Sequence, residues 1–216
     1  TAGLNHISGI VVDEEGIIWI ATTEYGIICY NPLSKQFSTF RNDPGDMSSL
    51  SGNYLLRIYK DSQGDIWLGS WGGGLNRYDR ENNCFERFMY HPDNPASLPG
   101  NIVHSISEQL TDSCRLMWIG TASGLASLNP DDPEAGFALF PKNGELPSLS
   151  VYGTLFDKKN NLWISTNSGI TFYQDQGIPM KHYNKQDGLP GNEFNAGAFL
   201  ELSQGQLAFG GINGLL

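Results

Sequence analysis

Residues 61–79 read DSQGDIWLGSWGGGLNRYD and predict a small β-meander. The first Asp and the first Gly bracket a four-residue turn, at the two positions where those residue types are favoured. The apolar Ile-Trp-Leu then predicts a short strand, Gly-Gly-Gly predicts a reversal, and Leu-Asn-Arg-Tyr predicts a returning strand. One such unit is too small to bury Trp67 by itself, so the pattern predicts neighbours of the same kind.

The same pattern recurs along the chain. Tryptophan stands at the equivalent positions 19, 67, 118 and 163, and Ala208 takes that place in a weaker fifth copy. The third copy lacks the Asp-x-x-Gly turn before its Trp. The steps between copies are therefore 48, 51, 45 and 45 residues. A period of about 40 to 50 residues with four short strands per unit is typical of β-propeller blades, and the absence of a helical period excludes helical repeats. The predicted fold class is all-β: a β-propeller fragment of about four and a half four-stranded antiparallel blades.

The repeats give expected boundaries for the blades. Four blades are expected at approximately residues 5–52, 53–100, 101–148 and 149–192, and an incomplete one at 193–216. Predicted strands in the first two blades are residues 7–12, 17–21, 26–30, 37–41, 55–60, 65–69, 74–79 and 85–89. The inner strand 7–12 is nearly all apolar, which predicts burial on both faces. We expect residues 1–216 to be part of a longer propeller, and an open stack of blades to self-associate.

Composition excludes some classes of function. A formal net charge of −10 and an isoelectric point near 4.7 disfavour binding to nucleic acids or anionic membranes. No apolar run approaches the roughly 18 residues needed to span a bilayer. Cys29, Cys84 and Cys114 are an odd set without metal-ligand spacing, so we interpret them as packing residues. No metal and no cofactor is expected.

Three features together resemble the two-component regulator propeller repeat: the Asp-x-x-Gly-x-Ile-Trp core, the Gly-Gly-Gly-Leu-Asn-Arg-Tyr-Asp return, and the loop DGLPGNEFN at residues 187–195. That repeat builds the periplasmic sensor region of hybrid two-component systems, which combine histidine kinase and response regulator, in polysaccharide-degrading gut bacteria. The resemblance covers nearly the whole chain.

The resemblance implies partners and a location that the residues alone do not give. It implies a periplasmic sensor part of an inner-membrane protein and an oligosaccharide ligand derived from glycans. A homodimer is expected from the open stack of blades. It also implies further propeller blades, a Y_Y_Y module, and a cytoplasmic histidine kinase and DNA-binding response regulator outside this sequence. Contact with nucleic acid by this part of the protein is not expected, and contact with the membrane is expected only through the full-length protein.

The repeated residues have a structural interpretation. A tryptophan that recurs in every blade is usually a wedge between neighbouring sheets, so we interpret that column as core. The Asp-x-x-Gly turn offers too few oxygen ligands for a calcium loop, so we interpret its Asp as a turn cap. The four histidines show neither metal spacing nor a nucleophile elbow, and no catalytic residue is predicted.

The candidate ligand site is the face formed by the connectors between blades and by the turns between second and third strands. Its amides, aromatic rings, cation and acid suit the hydroxyls and flat faces of a sugar. The candidate ligand-binding residues are Asn53, Tyr54, Arg57, Trp71, Asn101, His104, Tyr152, Glu193 and Asn195. Two alternatives remain open here: Asn53 and Asn101 could cap the connectors, and Trp71 could pack as a lid instead of stacking on a ligand.

Three functions compete at this point. The leading one is a ligand-sensing part of a receptor without chemistry of its own. The second is a structural or dimerisation propeller of the same receptor that binds no ligand. The third is a polysaccharide lyase, which would need paired acids or a Tyr and a His converging across blades.

Overall fold

The computed structural model describes residues 6–111, 114–141, 146–174 and 178–215, and these residues form an all-β protein. Five antiparallel sheets follow one another along the chain, four of them with four strands and the last with three. Each sheet is a meander in which consecutive strands pair. The predicted fold class of about four and a half propeller blades is confirmed.

The described residues divide into two compact units. The first comprises residues up to 90 together with 101–103, and the second comprises residues 91–100 and those from 104 onward.

The first unit holds two sheets. Their strands are β1 (Ile7–Val12), β2 (Ile18–Thr22), β3 (Ile27–Asn31) and β4 (Gln36–Phe40), then β5 (Leu55–Lys60), β6 (Ile66–Ser70), β7 (Leu75–Asp79) and β8 (Cys84–Phe88). They lie within about one residue of the predicted ranges, because alternating apolar residues and turn residues fix both the period and the ends.

The second unit holds the remaining three sheets. Their strands are β9 (Val103–Leu110), β10 (Arg115–Thr121), β11 (Gly124–Leu128) and β12 (Ala138–Phe140), then β13 (Val151–Phe156), β14 (Leu162–Thr166), β15 (Gly169–Gln174) and β16 (Ile178–Tyr183), and finally β17 (Phe194–Glu201), β18 (Leu207–Gly211) and β19 (Gly214–Leu215). Two short 3-10 helices, Pro133–Ala135 and Lys185–Asp187, lie in its connections.

The tryptophan column is largely removed from solvent, as predicted. Trp19, Trp67 and Trp118 are buried, and Trp163 is half-buried. In the first unit, Trp19 packs with Leu55, Leu68 and Phe85 from the second sheet, which joins the two sheets into one core. Ala208, in the same column of the last sheet, is also buried. The core interpretation of this column is therefore confirmed for its buried members.

The Asp-x-x-Gly turns are capped by their own aspartates. In the first sheet, Oδ1 of Asp13 accepts hydrogen bonds from the backbone N–H groups of Glu15 and Ile17 at 3.0 and 2.9 Å. Its Oδ2 accepts a third from Nε1 of Trp19 at 2.8 Å. The prediction that this Asp is a turn cap is confirmed, because its carboxylate oxygens are occupied by donors of the hairpin itself.

The inner strand β1 corrects one prediction. Ile10 and Val12 are 55% and 48% exposed, whereas their apolar character predicted burial on both faces. In the first unit, β1 packs against β5 of the second sheet. An apolar sequence shows that a face can be buried, but a neighbouring sheet must be present to bury it.

The connector between the first two sheets is ordered by hydrogen bonds. The guanidinium of Arg87 on β8 donates to the carbonyl oxygens of Asp46, Ser49 and Leu50 at 2.8, 2.8 and 3.0 Å. Nδ2 of Asn42 donates to the same Leu50 carbonyl at 2.6 Å. These bonds fix the residues that lead into β5 and so position the end of the sheet where the candidate site lies.

Candidate functional site

An exposed aromatic pair stands at the connector end of the second sheet. Tyr54 immediately precedes β5 and Trp71 immediately follows β6, so the pairing of Leu55 with Ser70 brings them together. Their side chains are 47% and 57% exposed, with ring centroids 6.1 Å apart and ring planes at 49°. The N–H of Trp71 donates to the carbonyl of Tyr54 at 2.9 Å, which ties the two backbones. The pair therefore offers two aromatic faces to solvent on a fixed frame.

Asn53 and Asn101 hold the connectors on either side of this pair. Oδ1 of Asn53 accepts the N–H of Asn42 at 2.8 Å, and Oδ1 of Asn101 accepts the N–H of Tyr90 at 2.7 Å. The carbonyl of Asn101 also accepts the N–H groups of Gly72 and Gly74, both at 2.9 Å. The capping role is thus confirmed for both residues, and their contact with a ligand stays a prediction.

Arg57 lies on β5 opposite Gly69 of β6, three residues along the chain from Tyr54. Burial lowers the pKa of its guanidinium to about 10, which still leaves it charged at neutral pH. A guanidinium combines a positive charge with several donors in one plane.

The second unit carries the other four candidates. His104 is buried on β9 and meets half-buried Tyr152 of β13 edge to face, with ring centroids 5.2 Å apart. Glu193 and Asn195 are exposed at the beginning of β17. The carbonyl of Glu193 accepts the N–H of Ile212 at 3.2 Å. The structure therefore brings His104 to Tyr152 and leaves the side chains of Glu193 and Asn195 in solvent.

Sequence reasoning missed a second group of side chains, on the outer strand of the first sheet. Phe37 on β4 is 68% exposed and packs on Tyr30 of β3 at a centroid distance of 4.6 Å. The sequence predicts this segment only as a strand, at residues 37–41. An exposed Phe beside amide and hydroxyl side chains was the available signal.

Catalytic and metal chemistry find little support in the described part of the chain. No three His, Cys, Asp or Glu side chains there are grouped to hold a metal ion. The ring nitrogens of His182 lie 3.0 Å from Oγ1 of Thr171 and 3.0 Å from the carbonyl of Ser168, so the sheet itself holds this histidine. Among the same residues no helix has the length and apolar character to cross a membrane.

Comparison with known proteins agrees with the repeat pattern. The family model described as two component regulator propeller matches residues 49–72 and 145–168. Both matches include a connector and the beginning of the sheet that follows it. The resemblance stated from the sequence is confirmed.

Individual relatives extend this similarity. A 67-residue segment is 34% identical to histidine kinase P4 of Formosa agariphila, covering 31% of this chain and 5% of the kinase. The extracellular domain of a proposed hybrid two-component system, BT3049 of B. thetaiotaomicron, superposes with a TM-score of 0.80 at 24% identity, over 98% of this chain and 28% of that one. Virginiamycin B lyase of Staphylococcus aureus superposes with a TM-score of 0.69 at 16% identity, over 99% of this chain and 66% of the lyase. The two structural matches establish a common fold, and the chain spans only part of each relative.

Proposed function

We propose that this chain, which is built from two-component regulator propeller repeats, is the ligand-sensing portion of a hybrid two-component receptor in the periplasm. It binds oligosaccharides derived from glycans and performs no chemistry itself. Binding is passed to a cytoplasmic histidine kinase and a DNA-binding response regulator in the full-length protein. The similarity to a histidine kinase and to the extracellular domain of a hybrid system supports this assignment.

One observation carries the proposal: the exposed pair Tyr54 and Trp71. Large aromatic side chains are usually removed from water, and a contiguous exposed pair marks an interaction site. The apolar face of a pyranose ring stacks on such a surface, while its hydroxyls need donors and acceptors at the rim. Arg57 on the adjoining strand, together with the amides of Asn53 and Asn101, supplies these groups within the same unit.

The negative charge of the chain limits which oligosaccharides are expected to bind. A net charge of −10 repels anions, so neutral oligosaccharides are favoured over uronic or sulfated ones. His104, Tyr152, Glu193 and Asn195 are proposed as further ligand contacts from the second unit.

Thermal melting with a panel of oligosaccharides tests the proposal. A ligand present at ten times its Kd stabilises the folded state by about 1.4 kcal/mol, which raises the Tm of a domain of this size by about 3 °C. Tyr54→Ala and Trp71→Ala are expected to abolish this increase, and Arg57→Ala to reduce it. Leu33→Ala removes an apolar side chain that is 89% exposed and lies away from the aromatic pair, so it should leave the increase unchanged.

Two other functions predict different results. A structural or dimerisation propeller is favoured by the exposed apolar residues of β1, and it predicts no melting increase with any oligosaccharide but association between copies. A lyase is favoured by the contact between His104 and Tyr152, and it predicts time-dependent release of unsaturated products from a glycan panel. Release of such products, lost on Tyr152→Phe, would replace the sensing proposal.

A further inference from the structure

Asn76 on β7 is a fully buried amide in the sheet that carries the exposed aromatic pair. It lies opposite Leu68 of β6, the residue that follows Trp67. The residues at the equivalent place in the first, third and fourth sheets are Ile28, Ala126 and Thr171. Burying an amide costs free energy unless its polar atoms are bonded, so an Asn at this place requires a specific partner.

The partner of Asn76 is the connector that leads to Tyr54. Oδ1 of Asn76 accepts the backbone N–H of Ser51 at 2.9 Å, and Nδ2 of Asn76 donates to Oγ of Ser51 at 2.8 Å. Both ends of the amide therefore bind one residue, which lies 25 positions earlier in the chain. Because Ser51 stands three residues before Tyr54, these bonds fix the backbone that leads to the Tyr54 ring.

Arg87 on β8 binds the same connector from a place beside Asn76. The two residues are directly opposite each other in the pairing of β7 with β8, so their side chains lie on one face of the sheet. Besides its three bonds to connector carbonyls, the guanidinium of Arg87 donates from Nη2 to Oγ of Ser49 at 2.8 Å. Asn76 and Arg87 together, which we call the clamp, therefore bind the connector from Asp46 to Ser51.

The clamped segment also lies against the reversal that carries Trp71. Gly73 leaves no room for a side chain, since a Cβ there would lie 2.6 Å from Oγ of Ser51. The hydroxyl that accepts from Asn76 is thus packed on the reversal two residues after Trp71. Ser51 therefore leads into Tyr54 on one side and supports the reversal of Trp71 on the other.

The equivalent pairs of residues in three other sheets offer different groups. They are Ile28 with Thr39 in the first sheet, Ala126 with Leu139 in the third, and Thr171 with His182 in the fourth. The ring of His182 lies 3.0 Å from the hydroxyl of Thr171 and 3.0 Å from the carbonyl of Ser168, which belongs to the reversal of the same sheet. Of these four pairs, the one that joins an amide to a guanidinium stands in the sheet with the exposed aromatic pair.

We infer that Asn76 and Arg87 are positioning residues, which hold Tyr54 and Trp71 in their paired geometry before a ligand arrives. They act through the connector and through Ser51, so neither side chain has to touch the ligand. A preformed site binds more tightly, because binding then does not have to order the loop. The gain in affinity rests on the proposed function of the aromatic pair, whereas the geometry of the pair can be measured without a ligand.

Nuclear Overhauser effects between the ring protons of Tyr54 and Trp71 test the positioning in the ligand-free protein. Their ring centroids are 6.1 Å apart, and Trp19 and Phe40, at 5.8 Å in the same unit, provide an internal reference. Asn76→Ala and Arg87→Lys should each weaken the Tyr54–Trp71 cross-peaks at least about twofold relative to the reference, because a loosened connector lets the rings separate. An unchanged ratio in both variants would overturn the inference.

The variants are chosen so that the sheet still folds. Asn76→Ala introduces the residue type that the third sheet has at this place, Ala126, and Arg87→Lys keeps the charge and the apolar stem. The N–H of Phe85 still donates to the carbonyl of Ser48, which keeps the connector attached to β8. Glu86→Ala is the matched control, because Glu86 is the neighbour of Arg87 on β8 and binds Arg77 of the same sheet. It should leave the cross-peak ratio unchanged.

Calorimetric titration with maltotriose, cellotriose, xylotriose and mannotriose tests the consequence for binding, at a temperature at which every variant is folded. The affinity for a bound trisaccharide should fall at least about fivefold in Asn76→Ala and in Arg87→Lys, and stay unchanged in Glu86→Ala. No binding of any trisaccharide by the wild type would contradict the proposed function, and the cross-peak ratio would then decide the positioning alone. Equal affinity in the wild type and both clamp variants would overturn the inference. A fall in affinity with unchanged cross-peaks would also overturn it, since the clamp would then act on the ligand by another route.

Discussion

Trp67 donates a hydrogen bond of 2.9 Å from its indole Nε1 to Oδ2 of Asp61, six residues earlier in the chain. The same bond joins Trp19 to Asp13 at 2.8 Å, and a longer one joins Trp163 to Asp157 at 3.2 Å. Each Asp also accepts backbone N–H groups of its turn. One Asp carboxylate therefore holds both the turn and the indole of the Trp. This explains why Asp and Trp recur six residues apart in these three sheets.

Removing the Asp61 carboxylate should destabilise the first unit. In Asp61→Ala the backbone N–H groups of Gln63 and Asp65 and the indole of Trp67 lose an acceptor, and the indole is buried. We expect the free energy of unfolding in urea to fall by about 3 kcal/mol. Asp43→Ala removes an exposed acceptor from a connector turn and should cost less than about 1 kcal/mol. Equal effects of the two changes would contradict the claim that Asp61 stabilises both its turn and the buried Trp67.

Acid should weaken the corresponding turn of the second unit. Burial alone raises the pKa of Asp157, but hydrogen bonds from Asn161, Trp163 and the N–H of Lys159 outweigh it and hold the pKa below its ordinary value of 3.8. The folded state therefore favours the carboxylate, and this stabilisation is present above about pH 3.8 and is lost as the pH falls through the lower, folded-state value.

Asp157→Asn removes this titration, so the Tm of the wild type should exceed that of the variant near neutral pH, and the gap should narrow as the pH falls below the ordinary Asp pKa. Thermal melts across the acid range measure the gap. A gap that stays constant down to the lowest pH would contradict the assigned pKa shift.

Two glycines of the same reversal should respond differently to a methyl group. Gly72 and Gly74 both have positive φ, at 94° and 70°. A Cβ at Gly72 would meet nothing within 4 Å, whereas one at Gly74 would collide with the carbonyl oxygen of Phe88. Both alanine variants should lose about 1 kcal/mol from backbone strain, and Gly74→Ala should lose at least about 1 kcal/mol more from the collision. Urea unfolding of the two variants measures the difference. Equal losses in the free energy of unfolding would show that the β8 backbone at Phe88 moves to accommodate the methyl group.

The strands were predictable because the sequence features that determine them are local. Alternation of side chains, the Asp-x-x-Gly turn and the glycine reversal act over a few residues, and β5 has the bounds expected from sequence. The third sheet shows the limit of such reasoning. The sequence of residues 109–115 has no Asp-x-x-Gly pattern, and Oε1 of Gln109 on β9 accepts the indole N–H of Trp118 at 3.0 Å in place of an Asp. An inserted segment changes the register of turn to strand, so a repeat pattern could not identify the new acceptor.

The candidate site was predictable only in part, since it depends on contacts between sheets. The exposure of Tyr54 and Trp71 follows from their positions beside connectors, which the sequence indicates. The sequence offered connector capping by Asn53 and Asn101 as one alternative. It could not identify the donors, because backbone N–H groups 11 positions away supply them.

Self-association is expected from the exposed apolar sheet faces. Ile10 on β1 is 55% exposed, and in the second unit Leu200 on β17 and Ile212 in the turn after β18 are 60% and 62% exposed. We propose that such surfaces join copies of the chain, and that Ile10→Lys weakens this association. Met47→Lys, at a 74% exposed position of a connector, is the matched control. Sedimentation velocity over a concentration series should show an oligomer for the wild type, and a monomer at every concentration would contradict the proposal.

The most direct test of the sensing proposal is calorimetric titration of oligosaccharides into the wild type and into the double variant Tyr54→Ala, Trp71→Ala. We expect saturable binding of at least one neutral oligosaccharide by the wild type, and a loss of affinity of at least about 30-fold, or about 2 kcal/mol, in the variant. Equal affinity in the two proteins, or no binding by the wild type across the panel, would contradict the claim that this aromatic pair recognises a sugar.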